Sequence, residues 1–338
     1  MPPRVSSSRW AHRAERALLV GGVALLGVLV YAVGLRVVLD DLRLVGWGIV
    51  PIVLQELIAY AFNTLGWRYA FPAPPPGIGF ARLLAVRLAG DAINSVTPTA
   101  TLGGEVVRIR LLRDRIATAP AMASVTIAML GQTVAQVLFI AVGFAILLAG
   151  SNLPPGIRPE LLVGVVVMGG LAVGLVAAQR RGRFSPLVAG LRLIGLERVG
   201  AHLRAAAARL DGEIAAFHAA GAGRFALSVA SFLVGWASGL LEVALILFFL
   251  HIQVSAERVL AIEVLSITID GILFVIPAKI GTQEGGKVLI FTLLGLPPAQ
   301  GLAFGLVRRV RELAWAAVGL TLLSRLQSRL ALPPDPAS

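Results

Sequence analysis

Apolar runs of about twenty residues recur along the whole chain, each closed by a short polar, proline- or glycine-rich break. A run of that length makes a helix that crosses a bilayer, and six are predicted, at about 17–39, 47–70, 120–148, 161–178, 225–250 and 300–324. Two further stretches, 80–112 and 259–296, are built differently. The arms of the first, about 80–96 and 103–112, are shorter than a full span and meet at Thr97-Pro98-Thr99 and Leu102-Gly103-Gly104. The second carries its breaks at Pro277 and Gly281. Proline removes a backbone donor and glycine loosens the chain, so a helix should stop and restart at Pro98, Gly103 and Gly104, and again at Pro277 and Gly281. Short arms around such a break read as re-entrant hairpins that return to their own side of the membrane. The predicted fold is an all-α polytopic membrane protein with six full spans and two re-entrant helical hairpins.

The two hairpins share a motif. Gly90 to Leu112 reads GDAINSVTPTATLGGEVVRIRLL and Asp270 to Phe291 reads DGILFVIPAKIGTQEGGKVLIF. Shifted by 179 residues without a gap, Asp91 falls on Asp270, Pro98 on Pro277, Glu105 on Glu284 and Arg108 on Lys287. Only 18 of the 338 residues are acidic, so two matched carboxylates in one register mark an internal repeat. The span before the first hairpin runs inward and the one before the second runs outward, so the copies are expected to be inverted, as in many transporters.

Charge supplies the orientation and the divisions of the chain. Arg4, Arg9, Arg13 and Arg16 precede the first span, and Arg325 and Arg329 follow the last, which puts both termini in the cytoplasm. With no small-residue cleavage site after its apolar core, the first span reads as a retained helix. The divisions are a basic N-terminus, 1–16; a first membrane half, 17–178; a segment, 179–224; a second membrane half, 225–325; and a tail, 326–338. Within 179–224 the apolar residues Leu196, Val199, Leu203, Leu210, Ile214 and Phe217 make one helical stripe. Such a helix lies along the cytoplasmic membrane face, docks a partner, or packs on the protein's own inner surface. The net charge of +12 comes mostly from arginines beside apolar spans, where they meet headgroups and not nucleic acid.

Ionisable and amide side chains inside the spans carry the candidate chemistry. Glu56, Asp91, Asn94, Glu105, Gln132, Gln136, Glu242, Asp270, Glu284, Lys287, Arg308, Arg309, Arg311 and Glu312 lie in or beside apolar runs. A charge at the bilayer centre costs roughly 2.5–3.5 kcal/mol, so this many imply a shared polar interior. Asp91 and Asp270 either cap backbone groups freed at the breaks or change protonation as access alternates; Glu105 and Glu284 open the second arms, where a carboxylate suits a helix N-terminus and could also switch. Arg108, Lys287, Arg308 and Arg311 are candidate ligands for an anionic headgroup; the alternatives are pairing with Glu284, Glu312 or Asp270, or snorkelling to the interface. Glu56 and Asn63 share one helix and are expected to pack on the first hairpin, while Trp47, Trp67 and Trp236 read as interfacial anchors or packing residues. Cysteine is absent and the four histidines are scattered, so no metal site is expected. There is no G-x-S-x-G, Walker or H-E-x-x-H motif, hence no expected catalytic residue, cofactor or ATP-driven step.

At the hairpins the sequence resembles the lysylphosphatidylglycerol synthase transmembrane, flippase-like family, and within it the members associated with hopanoid biosynthesis. The residues that carry the likeness are Asp91-x2-Asn94 through Pro98 to Gly103-Gly104-Glu105 with Arg108, Pro277-x3-Gly281-x2-Glu284, and Glu56 to Gly66-Trp67-Arg68. The resemblance implies an integral inner-membrane protein that moves lipids between leaflets. The lysyl-transfer enzymes carry a soluble catalytic domain after the membrane region, so aminoacyl transfer is not expected of these 338 residues. The leading expectation is a translocator for a polar or anionic lipid. A membrane-embedded enzyme, or an accessory that organises lipid-synthesis enzymes, is the alternative.

Overall fold

The structure is a computed structural model that describes residues 43–75, 77–96, 102–150, 162–164, 166–167, 222–272 and 281–331, with Tyr31, Asp40, Gly170 and Phe217. Among the described residues eight α-helices carry the architecture: α1 (Ile49–Tyr69), α2 (Phe80–Val96), α3 (Leu102–Leu112), α4 (Thr118–Ala149), α5 (Ala222–Phe249), α6 (Ala256–Ile272), α7 (Thr282–Leu293) and α8 (Pro298–Ala331). No strand occurs among the described residues. The predicted span 17–39 apart from Tyr31, most of the predicted span 161–178, the prolines Pro98 and Pro277, and nearly all of 179–224 lie outside them.

Local sequence sets the helix ends. Pro51, Pro120 and Pro298 sit in first turns, where the missing N–H has no intrahelical acceptor to lose. The end of α1 is capped from a distance: Arg224 of α5 donates to the Phe71 carbonyl at 2.7 Å and to the Arg68 carbonyl at 3.2 Å. A cation there meets the negative end of the helix.

Three stretches are long and apolar enough to cross a membrane among the described residues: Arg43–Tyr69, Thr118–Ala149 and Gly223–Phe249. Helix α8 has the length, 34 residues, but carries Arg308, Arg309, Arg311 and Glu312 in its first half. The hairpin arms α2 and α3, of 17 and 11 residues, reach about 25 and 16 Å at 1.5 Å per residue, against a hydrocarbon core of about 30 Å. Arms α6 and α7, of 17 and 12 residues, are closely similar.

The second set of four helices follows the first at the 179-residue shift, long helix, two arms, long helix. Packing follows the same plan. Helix α1 lies against α5, α8 against the long arm α2, and α4 against the other long arm α6. Each closing helix therefore packs on the hairpin of the opposite set. Two apolar cores result. One surrounds the first hairpin, with Leu83, Val86, Ala89, Leu111 and Leu112 against Trp67, Ile127 and Phe232. The other surrounds the second, with Ile262, Val264, Ile267, Ile290 and Phe291 against Ile140, Val243 and Phe304. Of the amphipathic stripe only Phe217 is described, and it is fully buried in the first core. Trp47 is exposed, Trp67 is buried with its Nε1 donating to Ser124 at 3.3 Å, and Trp236 borders both cores.

A buried ionic site between the hairpins

Each hairpin is closed by the same ion pair. In the first, Arg108 of α3 reaches across to Asp91 of α2. In the second, Lys287 of α7 donates to Asp270 of α6 at 2.9 Å. Both pairs span 17 residues, and the repeat shift carries one onto the other. Both cations are buried. A buried charge is tolerated only when it is paired, so each clamp holds its two arms in register.

Around the first clamp the charges balance. Arg108 also bonds both oxygens of Glu105 at 2.8 Å, one turn back on α3. Arg87, buried one turn before Asp91 on α2, approaches it at 3.5 Å and donates to Gln132 on α4 at 3.1 Å and to the Asn63 carbonyl at 3.3 Å. The two guanidiniums lie over aromatic faces, Arg87 over Phe232 and Arg108 over Trp67, each at 5.7 Å. That is a favourable seat for a cation shielded from water.

The arms meet closely at the first break. The Gly104 N–H donates to Asn94 on the opposite arm at 2.7 Å, and a Cβ on Gly104 would collide with the Gly90 carbonyl and with Asn94. The second break is solved differently. Gly281 sits at φ +75°, a conformation L residues rarely adopt, and its N–H donates to Glu284 at 2.7 Å. Glu284 thus caps its own arm, while Glu105 is free to pair with Arg108. Asn94 has no counterpart in the second copy, where Leu273 stands.

Beyond the second clamp the charges continue. Arg309 is held by Glu284 at 3.0 Å and Glu312 at 3.0 Å. Arg308 bonds Glu263 and meets Glu242 at 3.1 Å. Arg311 meets Glu56 at 2.5 Å and Glu242 at 3.0 Å. Glu56 therefore points to the last helix, and it is Asn63, through its carbonyl, that touches the first hairpin. All four cations singled out from the sequence, Arg108, Lys287, Arg308 and Arg311, have carboxylate partners, and Glu312 serves Arg309.

Two members escaped the sequence reading, Arg87 and Glu263. Both lie in the middle of a long hairpin arm, each a single charge in an apolar stretch. The signal for Arg87 was its spacing of four from Asp91, which puts both on one helix face. Glu263 had the same kind of signal, seven residues before Asp270 on α6.

A protein-family model described as the lysylphosphatidylglycerol synthase TM region matches residues 16–319. The architecture is that of a helical integral membrane protein with a buried ionic interior, and the chain belongs to that family. No curated protein and no solved structure matches it. The family points to a lipid-related membrane function.

Proposed function

We propose that the protein is a flippase-type translocator that moves a lipid with a polar or anionic headgroup between the leaflets of the cytoplasmic membrane, with both termini inside. The observation that carries this reading is the pair of matched clamps, Asp91–Arg108 and Asp270–Lys287, each joining the two arms of a short hairpin. The exchange of packing, α8 on α2 and α4 on α6, supports an inverted repeat in which either hairpin can face its own side of the membrane. In this mechanism a phosphate or carboxylate of the headgroup displaces Asp91 from Arg108 on one side, and Asp270 from Lys287 on the other. The freed carboxylate is neutralised or re-paired while the clamp is open, and the tails stay in the bilayer. Glu105 and Glu284 keep the second arms anchored through Arg108 and Arg309. Arg308 and Arg311 of α8 are further candidate ligands for the headgroup, each held at rest by carboxylates that it would have to displace. In this reading the chain serves as a passage and not as a catalyst. Lipid-synthesis enzymes are partners in the sense that they supply the lipid. The hopanoid association rests on the resemblance alone, because headgroup charge does not select a tail.

The test is movement of a fluorescent anionic phospholipid in proteoliposomes. Asp91→Asn combined with Asp270→Asn weakens both clamps while keeping the shape, and should lower translocation by at least tenfold in protein that still elutes as a single folded species. Unchanged lipid movement in that variant overturns the mechanism. Lipids that co-purify with the wild type and are lost from Arg308→Ala/Arg311→Ala would name the substrate.

A further inference from the structure

A second feature of the ionic site is its imbalance. Four helices bring three carboxylates around two guanidiniums: Glu56 from α1, Glu242 from α5 and Glu263 from α6 face Arg308 and Arg311 of α8. Glu242 is the centre, since its Oε2 alone accepts from both arginines, at 3.1 and 3.0 Å. Guanidinium groups keep their protons under all ordinary conditions, so only the carboxylates can adjust.

The surroundings do not supply the missing positive charge. Lys287 lies near Arg308 and Glu263 but is committed to Asp270. Arg309 is committed to Glu284 and Glu312. Glu312, 4.0 Å from Arg311, adds only negative charge, and the neutral Tyr60 phenol adds none. A second observation is independent of the count. The Oε1 of Glu242 is buried and accepts no hydrogen bond, although the side chain is only 3 % exposed. A buried carboxylate oxygen without a donor, in a site one negative charge in excess, is an acceptor that one added proton would satisfy.

We infer that Glu56, Glu242, Glu263, Arg308 and Arg311 form a binding site for one exchangeable proton. The proton adds to a carboxylate oxygen and leaves from it, with no other bond changed. Glu56, 19 % exposed, is the edge by which it enters. A metal cation fits poorly, since the arginines already occupy an oxygen of each carboxylate and repel it; a proton needs a single oxygen. The inference stands apart from lipid translocation. Where the chain does move lipids, a proton held within the membrane gives that movement a means of coupling to a proton gradient.

The experiment is infrared difference spectroscopy of the purified full chain in nanodiscs across a pH titration, reading the deuterium-sensitive C=O stretch of protonated carboxyls. Wild type should show a titrating band from this site. Because the proton answers to the charge count, Glu242→Gln, Glu56→Gln and Glu263→Gln should each abolish that component. Glu242→Gln/Arg308→Gln should bring one back. Loss in only one of several folded variants, or no loss in any folded variant, overturns the inference. An amide mimics the protonated acid in shape, and Glu56→Gln at the partly exposed edge serves if the more buried variants do not fold. Lipid movement measured in parallel separates the two readings. A band without translocation leaves the proton site standing and removes the transport role, and translocation without a band does the reverse.

Discussion

The two hairpins share one clamp and differ in almost everything around it. At the first, two cations, Arg87 and Arg108, meet two carboxylates, Asp91 and Glu105. At the second, four cations, Lys287, Arg308, Arg309 and Arg311, meet six carboxylates once Glu56 is counted in from α1. The repeat shift shows which positions differ. Arg87 corresponds to Ser266, whose buried hydroxyl has no partner, and Gln132, which receives Arg87, corresponds to Arg311. The arginine has in effect moved from the long arm of one hairpin to the closing helix of the other. Asn63 corresponds to Glu242, and Leu84 to Glu263. The clamp is the shared element; the neutral surroundings of one copy and the acidic surroundings of the other point to different tasks.

That contrast predicts unequal damage when the clamps are broken. Arg108→Ala strands Glu105, leaves Asp91 only Arg87 at 3.5 Å and empties the space over Trp67, so it should cost about 3–5 kcal/mol, the range for breaking a buried ion pair. Lys287→Ala strands only Asp270, which is 21 % exposed and can draw in water, so its loss should fall at or below the lower end of that range, about 3 kcal/mol. Apparent melting temperature in mild detergent checks this. Equal losses would mean that the two clamps are equivalent and that their surroundings matter little.

Much of this was legible in the sequence. Helix ends fall close to the apolar boundaries because proline and glycine breaks terminate helices locally, and α2 was expected over its observed range, 80–96. The equivalence of Asp91–Arg108 and Asp270–Lys287 followed from register alone. What register could not say is which carboxylate faces which cation, since that depends on helix rotation. Glu56 illustrates it: the local pattern assigned its helix to the first hairpin, whereas packing of α1 brings it to Arg311, 255 residues away. Glu263 was hidden for a related reason: its partner Arg308 stands on α8, 45 residues away, and only packing brings the two together.

The next contrast lies at the breaks. Gly104→Ala would force a Cβ into the Gly90 carbonyl and Asn94, where backbone cannot yield cheaply, and should cost about 1–3 kcal/mol. Gly286→Ala meets only the Cγ2 of Ile269 at 3.1 Å, the end of a side chain that can shift. The gain from replacing a helical glycine, up to about 1 kcal/mol, should offset that contact and leave stability nearly unchanged. Thermal unfolding of the two variants side by side tests whether close approach of the arms belongs to the first hairpin alone.

The smallest expected difference concerns the caps. Asn94→Ala removes the acceptor for the Gly104 N–H at a helix start, and Glu105, held by Arg108, cannot swing back to replace it; the cost should be about 1 kcal/mol. Glu284→Gln should cost less, under about 1 kcal/mol, because the amide oxygen can still accept from the Gly281 N–H and Arg309 keeps Glu312. Hydrogen exchange at the amides of Gly104 and Gly281 separates the two. Exchange should quicken in Asn94→Ala and stay slow in Glu284→Gln. Quickening in both would show that the second arm relies on the charge of Glu284 and not on its oxygen, making the two caps alike after all.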